Sequence, residues 1–209
     1  MTHTRSAKRN EAIVVVDSGG ANLASLDYAL ERLGVRACVT TDAAIISSAD
    51  RVLLPGVGNA AAIMSRLEEL TLTPVIRALS APVLGICLGM QLLFEHSAEG
   101  DTSGLGLLPG RIERMAATPG RSVPHMGWNT LKIERDDPLL HGLSNDDWFY
   151  FVHGYYAPAS ASSVIATVEH GEPYAAVVRH RNFCGVQFHP ERSGQSGARL
   201  LANFMTANT

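Results

Sequence analysis

Surplus basic charge is missing from this chain: 17 Lys and Arg stand against 20 Asp and Glu, a formal net charge of −3 over 209 residues. No Lys/Arg cluster interrupts that balance, so the chain offers no electrostatic footprint for a phosphate backbone, and nucleic acid is not an expected partner. Cysteine is equally sparse. Cys38, Cys87 and Cys184 are odd in number and far apart, which suits neither a disulfide framework nor a zinc site built from paired CxxC ligands. A reducing cytoplasm is the setting this predicts. No apolar run approaches the roughly 20 residues that span a bilayer. Met1 to Asn10 is polar and basic without the apolar centre of a signal peptide, and reads as a flexible N-terminal extension. Internal repeats, low-complexity tracts and dividing linkers are absent too. What is present, 46% hydrophobic and 18% charged residues, describes one globular domain over residues 11–209 with small molecules and proteins as its partners.

The first half alternates strand and helix. Ala12 to Asp17 is a run of Ile and Val suited to a parallel strand buried on both faces. After Ser18-Gly19-Gly20, Asn22 can cap a helix in which Leu23, Leu26, Leu30 and Leu33 recur at helical spacing before Gly34 stops it. Val35–Thr40 and Arg51–Leu54 read as further strands, Ala60–Leu70 as a helix, and Pro82–Ile86 as a strand that runs into Cys87 and a helix from Leu88 to about His96. Such an order implies an α/β fold with a mostly parallel sheet. From Arg111 onward the segments 111–115, 130–133, 148–156, 164–169, 174–179 and 184–188 are strand-like with hardly a helix between them, which predicts antiparallel pairing in the second half. A last helix over 197–206 presents Leu200, Leu201 and Phe204 on one side.

Three motifs carry chemistry. Gly85-Ile86-Cys87-Leu88-Gly89 lies at a strand-to-helix junction and has the form of a nucleophile elbow with Cys in the reactive position. Its glycines belong where a strained turn presses neighbouring chain close, and the first N–H groups of the following helix favour a thiolate and can bind an oxyanion. Cys38 and Cys184 lack such surroundings and read as small packed side chains. Gly185-Val186-Gln187-Phe188-His189-Pro190-Glu191 ends a strand in a His and a carboxylate: a base for the thiol and an orienting group for the base. Two residues apart on an extended segment, His189 and Glu191 start on the same side. Leu54-Pro55-Gly56-Val57-Gly58 follows the third strand, at the carboxyl edge where ligands of open α/β sheets collect, and can present backbone N–H groups to a tetrahedral intermediate.

Gly-Ile-Cys-Leu-Gly-Met-Gln at 85–91, Pro-Gly-Val-Gly at 55–58 and Gln-Phe-His-Pro-Glu at 187–191 together resemble the triad class of glutamine amidotransferases, in that family's order and over nearly the whole chain. Within the family the chain is similar to the glutaminase subunits that serve imidazole glycerol phosphate synthesis. That likeness rests on Asp17 to Leu23, Pro124-His125-Met126-Gly127-Trp128-Asn129 and Tyr150 to Tyr155. Ser18 and Ala21 depart from the family, where an aromatic residue and a glycine are usual.

The resemblance implies a flavodoxin-like open sheet, catalytic residues Cys87, His189 and Glu191, and no cofactor or metal. It further implies oxyanion or substrate contacts from Gly56, Val57, Gly58, Leu88 and Gln91, and a partner interface including Asn22, Trp128 and Asn129. The implied activity is hydrolysis of glutamine to glutamate and ammonia. The ammonia passes to a cyclase subunit with a (β/α)8 barrel, the two chains forming a heterodimer in histidine biosynthesis. Two other readings stay open at this point: another amidotransferase of the class, serving anthranilate, guanylate or pyridoxal phosphate synthesis, and a binding subunit with a degenerate site.

Overall fold

The computed structural model describes residues 11–19, 23–118 and 122–207. The extension expected over residues 1–10, and Gly20, Ala21 and the capping Asn22, lie outside the described residues. Strands β1 (Ile13–Val16), β2 (Ala37–Thr40), β3 (Arg51–Gly56) and β4 (Val83–Cys87) alternate with helices α1 (Leu23–Arg32), α2 (Ala43–Ser47), α3 (Ala60–Glu69) and α4 (Leu72–Arg77). After the short α5 (Leu88–Gln91) come β5 (Phe94–Ser97), β6 (Thr102–Ser103), β7 (Leu108–Arg114), β8 (His125–Thr130), β9 (Lys132–Ile133), β10 (Trp148–His153) and β11 (Tyr155–Tyr156). Then β12 (Val164–His170), β13 (Glu172–His180) and β14 (Phe183–Val186) lead to α6 (Gly194–Thr206).

The main sheet has the order β2-β1-β3-β4-β14-β13-β12-β9. It is parallel from β2 through β14 and antiparallel beyond, an α/β fold of the open flavodoxin-like kind with antiparallel strands from the second half. Every residue of β1, β3 and β4 is buried, because both faces of these strands are covered. Alternate side chains feed two cores. Val15, Leu53 and Leu84 meet Leu26 and Leu30 of α1 and Leu200 and Phe204 of α6. Val14, Val52 and Leu54 meet Ile63 and Leu67 of α3 and Ile76 of α4. Each such fully buried aliphatic side chain contributes about 1.5–3 kcal/mol. The chain leaves β1 toward β2 on one side and toward β3 on the other, so the carboxyl edge opens a crevice at this switch point. No helix among the described residues is long and apolar enough to cross a membrane.

Several boundaries differ from expectation. The helix expected from Leu88 to about His96 ends at Gln91, and Phe94–Ser97 is a strand. The competing partner is the segment 105–108: the N–H groups of Leu105 and Gly106 donate to the carbonyls of Leu92 and Phe94 at 2.7 and 3.0 Å. Those carbonyls are claimed by tertiary bonds, and the chain extends. The strand expected over 148–156 is broken into β10 and β11, and that expected over 130–133 is divided between β8 and β9. The last helix begins at Gly194 rather than Gly197. Helices α2 and α4 were not legible from periodicity, being only five and six residues long, although Asp42 caps α2 by accepting from the N–H groups of Ala44 and Ile45.

The register of β3 on β4 sets Gly56 opposite Cys87 and draws α5 tight against the end of β3. A Cβ on Gly89 would fall 1.8 Å from the Leu54 carbonyl oxygen, and one on Gly85 would fall 2.7 Å from the Gly89 oxygen. Both obstacles are backbone, which cannot swing aside. Gly89→Ala is therefore expected to lower the unfolding free energy by at least about 2 kcal/mol, read as a lower denaturation midpoint. An unchanged midpoint would mean the packing has slack.

Candidate active site

Cys87 ends β4 and precedes α5 with φ 54° and ψ −112°, outside the ordinary regions for an L residue. The sharp turn expected of an elbow is thus present, and with it the strain characteristic of reactive centres. The dipole argument for α5 shrinks, since a four-residue helix contributes only its local N–H groups. Around the sulfur stand the Val152 carbonyl and the Gln187 amide, each 3.9 Å away.

His189 and Glu191 arrive from the neighbouring β14. The extended chain reaches His189 (φ −99°, ψ 96°), and Pro190–Arg192 then closes a 3-10 turn. The expectation that an extended segment aligns the two side chains is corrected here. It is the turn, started by Pro190 with its fixed φ, that brings Glu191 Oε1 to 2.8 Å from His189 Nδ1. The backbone locks this arrangement: His189 N–H donates to the Tyr150 carbonyl at 2.9 Å, and the Ser193 hydroxyl donates to the His189 carbonyl at 2.6 Å. Nδ1–H on Glu191 leaves Nε2 as the working nitrogen. It is buried and, among the described residues, meets no group at hydrogen-bond geometry.

Burial opposes a charged imidazolium at this position, but the Cys87 sulfur and the Glu191 carboxylate outweigh it and raise His189 to about 10. Such a set can take a proton from a thiol, hold it, and return it to a leaving group. Cys184, by contrast, is wholly buried and its thiol is pushed up to about 12, the mark of an inert side chain.

A cavity of about 220 Å³ joins the candidate residues: Val57, Gly58, Cys87, Leu88, Gln91 and His189 all line it. Gly56 and Glu191 bound a smaller void on its far side. Gly58 has φ +100° with open space where a side chain would stand. Gln91 donates through Nε2 to the Tyr155 carbonyl at 2.8 Å and to Gln187 Oε1 at 2.9 Å, so its own oxygen is the group left to meet a ligand. A larger depression of about 710 Å³ lies by Asp137, His141 and Asn203, away from any nucleophile.

Several lining residues escaped the sequence reading. Glu99 brings a carboxylate to the pocket, held by the Ala60 N–H at 2.8 Å. Its signal was hidden by the helix expected to run through His96. Gln187, buried behind the pocket against Cys87 and Gln91, could have been found, because strand alternation puts it on the same side as His189. Val152, His153, Gly154 and Tyr155 form the opposite wall.

Of the three expected interface residues, the two that the structure describes, Trp128 and Asn129, face opposite ways. Asn22 lies outside the described residues. Trp128 is half exposed on the outer face of the β8–β10 ribbon, where Met126, Trp148, Tyr150 and Val152 join it through the pairs Val152↔Met126 and Tyr150↔Trp128. Asn129, one residue on, points the other way and donates to the Glu169 carbonyl at 2.8 Å. Adjacent strand residues face opposite sides. Ser18 turns inward as well, donating to the Pro55 carbonyl at 3.2 Å.

The raised His189 value fixes the sign of a pH effect. Protonated His189 contributes stability in full below its ordinary 6.5, and that contribution is lost as the pH rises through about 10. Glu191→Gln removes one of the two groups holding the proton. The imidazole, followed by NMR, is expected to titrate at lower pH, and the alkaline loss of stability to begin earlier. A His189 titration identical to wild type would show that Glu191 does not hold the proton.

With this geometry in place, comparison with known proteins is informative. The family described as Glutamine amidotransferase class-I matches residues 14–208. A protein of Xanthomonas oryzae pv. oryzae named imidazole glycerol phosphate synthase subunit HisH is 54% identical over 193 residues, covering 92% of this chain and 96% of its own. The protein of that name from Xylella fastidiosa is 49% identical over the same shares. A solved glutamine amidotransferase structure superposes with a TM-score of 0.73 at 22% identity, over 92% of this chain and 96% of the other, a likeness of fold. The chain belongs to the class-I glutamine amidotransferase family.

Proposed function

We propose that this chain is the glutaminase subunit of an imidazole glycerol phosphate synthase. It hydrolyses glutamine to glutamate and ammonia, and the ammonia passes to a cyclase subunit. There it reacts with the phosphoribulosyl-formimino aminoimidazole carboxamide ribonucleotide PRFAR to give imidazole glycerol phosphate and AICAR, a step of histidine biosynthesis. The observation that carries the mechanism is the 2.8 Å contact of Glu191 with His189, which lines the pocket that also holds Cys87.

In this reading the Cys87 thiolate attacks the carboxamide carbon of glutamine. The Leu88 N–H and one from Gly56 to Gly58 receive the charge that develops on oxygen. As the C–N bond breaks, protonated His189 gives its proton to the departing nitrogen, and ammonia leaves a thioester on Cys87. Neutral His189 then takes a proton from water, whose oxygen attacks the thioester carbon. The C–S bond breaks, glutamate departs and the sulfur is free again. Glu191 fixes the imidazole tautomer throughout. At the other end of the substrate, Glu99 pairs with the α-ammonium, and the free oxygen of Gln91 accepts from a substrate N–H.

Ammonia is a nucleophile only while unprotonated, so its route to the acceptor must exclude water. The outer face of the β8–β10 ribbon supports a docking role, since Trp128, Met126 and Trp148 are large, apolar and more than half exposed. Val152 belongs to the same outward row, and its carbonyl accepts from the Cys87 thiol. The patch therefore leads to the nucleophile. A (β/α)8 cyclase seated there forms the heterodimer, with Trp128 at the contact; Asn22 and Asn129 complete the interface that the family resemblance implies.

Cys87→Ala in the assembled, PRFAR-loaded complex is expected to lose at least about a thousandfold in glutamine hydrolysis. Retained activity would sink the assignment of Cys87. Trp128→Ala, on a folded chain with Cys87 intact, is expected to weaken cyclase binding by about tenfold or more in titration calorimetry. Unchanged affinity would move the docking face elsewhere.

A further inference from the structure

The wall opposite Cys87 is held from behind by a buried polar chain that the hydrolysis mechanism does not use. Tyr174 of β13 is completely buried, and its hydroxyl lies between two histidines. On one side is His125 Nδ1, hydrogen-bonded to it. On the other is His153 Nε2 at 3.0 Å. Beyond it, His153 Nδ1 stands 2.9 Å from the Tyr155 carbonyl, which also accepts from Gln91 Nε2 at 2.8 Å.

Donor counting fixes the direction of every bond. A carbonyl only accepts, so His153 Nδ1 carries the hydrogen facing Tyr155. Burial, opposed by the bond to the Tyr155 carbonyl and aided by the neighbouring histidines, lowers His153 to about 3, so the ring is neutral and Nε2 is a lone pair. Tyr174 must donate to it. A hydroxyl has one hydrogen, so His125 Nδ1–H must donate to Tyr174 in turn. The chain therefore reads His125 to Tyr174 to His153 to the Tyr155 carbonyl, where it meets Gln91. Phenylalanine would fill the same volume and leave His153 Nε2 without its donor, so that only the Tyr155 carbonyl would hold the ring and its tautomer.

We infer that the Tyr174 hydroxyl is a positioning residue for glutamine binding: it is the second of two bonds that hold the His153 ring and tautomer, and His153 in turn holds the Tyr155 carbonyl where it orients Gln91 toward the substrate. Tyr174 touches neither substrate nor Cys87, so its effect reaches the reaction only through the Gln91 side of the pocket. It should then appear in KM rather than kcat. The inference rests on the glutaminase reading.

The test uses the full chain in complex with its cyclase subunit. Tyr174→Phe is expected to raise KM for glutamine about fivefold, the order of one positioning hydrogen bond, with kcat within about twofold of wild type. In the wild-type protein, nitrogen NMR of the imidazoles is expected to show His153 as the neutral Nδ1–H tautomer, its Nε2 resonance displaced by an accepted hydrogen bond. That displacement disappears in Tyr174→Phe. An unchanged KM in a folded variant, or a loss in kcat alone, overturns the inference. So does an Nε2–H tautomer of His153 in wild type, which needs no variant and decides the matter if Tyr174→Phe does not fold. A wild-type complex without glutaminase activity would instead overturn the underlying reading.

Discussion

The close approach of α5 to the end of β3 is the constraint on which the remaining architecture depends. Parallel pairing sets Gly56 beside Cys87, and the Gly89 backbone sits where any side chain would strike the Leu54 carbonyl. Only this intimacy holds Cys87 at positive φ at the strand's edge, with the 56–58 loop within reach of whatever forms on the sulfur. Hydrophobic burial of β1, β3 and β4 supplies the energy that sustains the strain. The reactive geometry is thus a property of the sheet's centre and not of a surface loop.

The second half of the chain completes the site by a different logic. β14 joins the sheet parallel to β4, so its carboxyl end delivers His189 beside the elbow. A single proline-started turn then replaces what would be a further strand, and the triangle of Tyr150, His189 and Ser193 backbone and hydroxyl bonds freezes the turn's orientation. Tyr150 thereby belongs at once to the exposed ribbon and to the support of the imidazole. Its ring stacks edge-on against Trp128 and receives the Arg192 guanidinium 5.6 Å from its centroid.

What was legible in the sequence follows from the range of the forces involved. The elbow glycines, the buried Ile/Val runs and the Pro between His189 and Glu191 encode their roles in nearest neighbours, and the parallel sheet with its carboxyl-edge site follows from them. Phe94–Ser97 was not legible as a strand because its carbonyls accept from Gly104 and Gly106, beyond any local periodicity. Glu99 was lost with it, since a side chain cannot be assigned to a pocket wall that the chain is not yet known to reach. Nor could the motif Tyr150–Tyr155 reveal that alternate residues serve different purposes. That requires knowing which side of the ribbon meets the core.

The same alternation restricts how this ribbon can change. Phe149, Phe151 and His153 pack inward while Trp148, Tyr150 and Val152 face out. Sliding β10 along β8 by one residue would exchange the two sets, exposing phenylalanines and burying the docking row. Substitutions along the outer row leave the core beneath it intact, but length changes inside the strands must come in twos to preserve both. The ribbon tolerates rewriting of its letters far better than any shift of its frame.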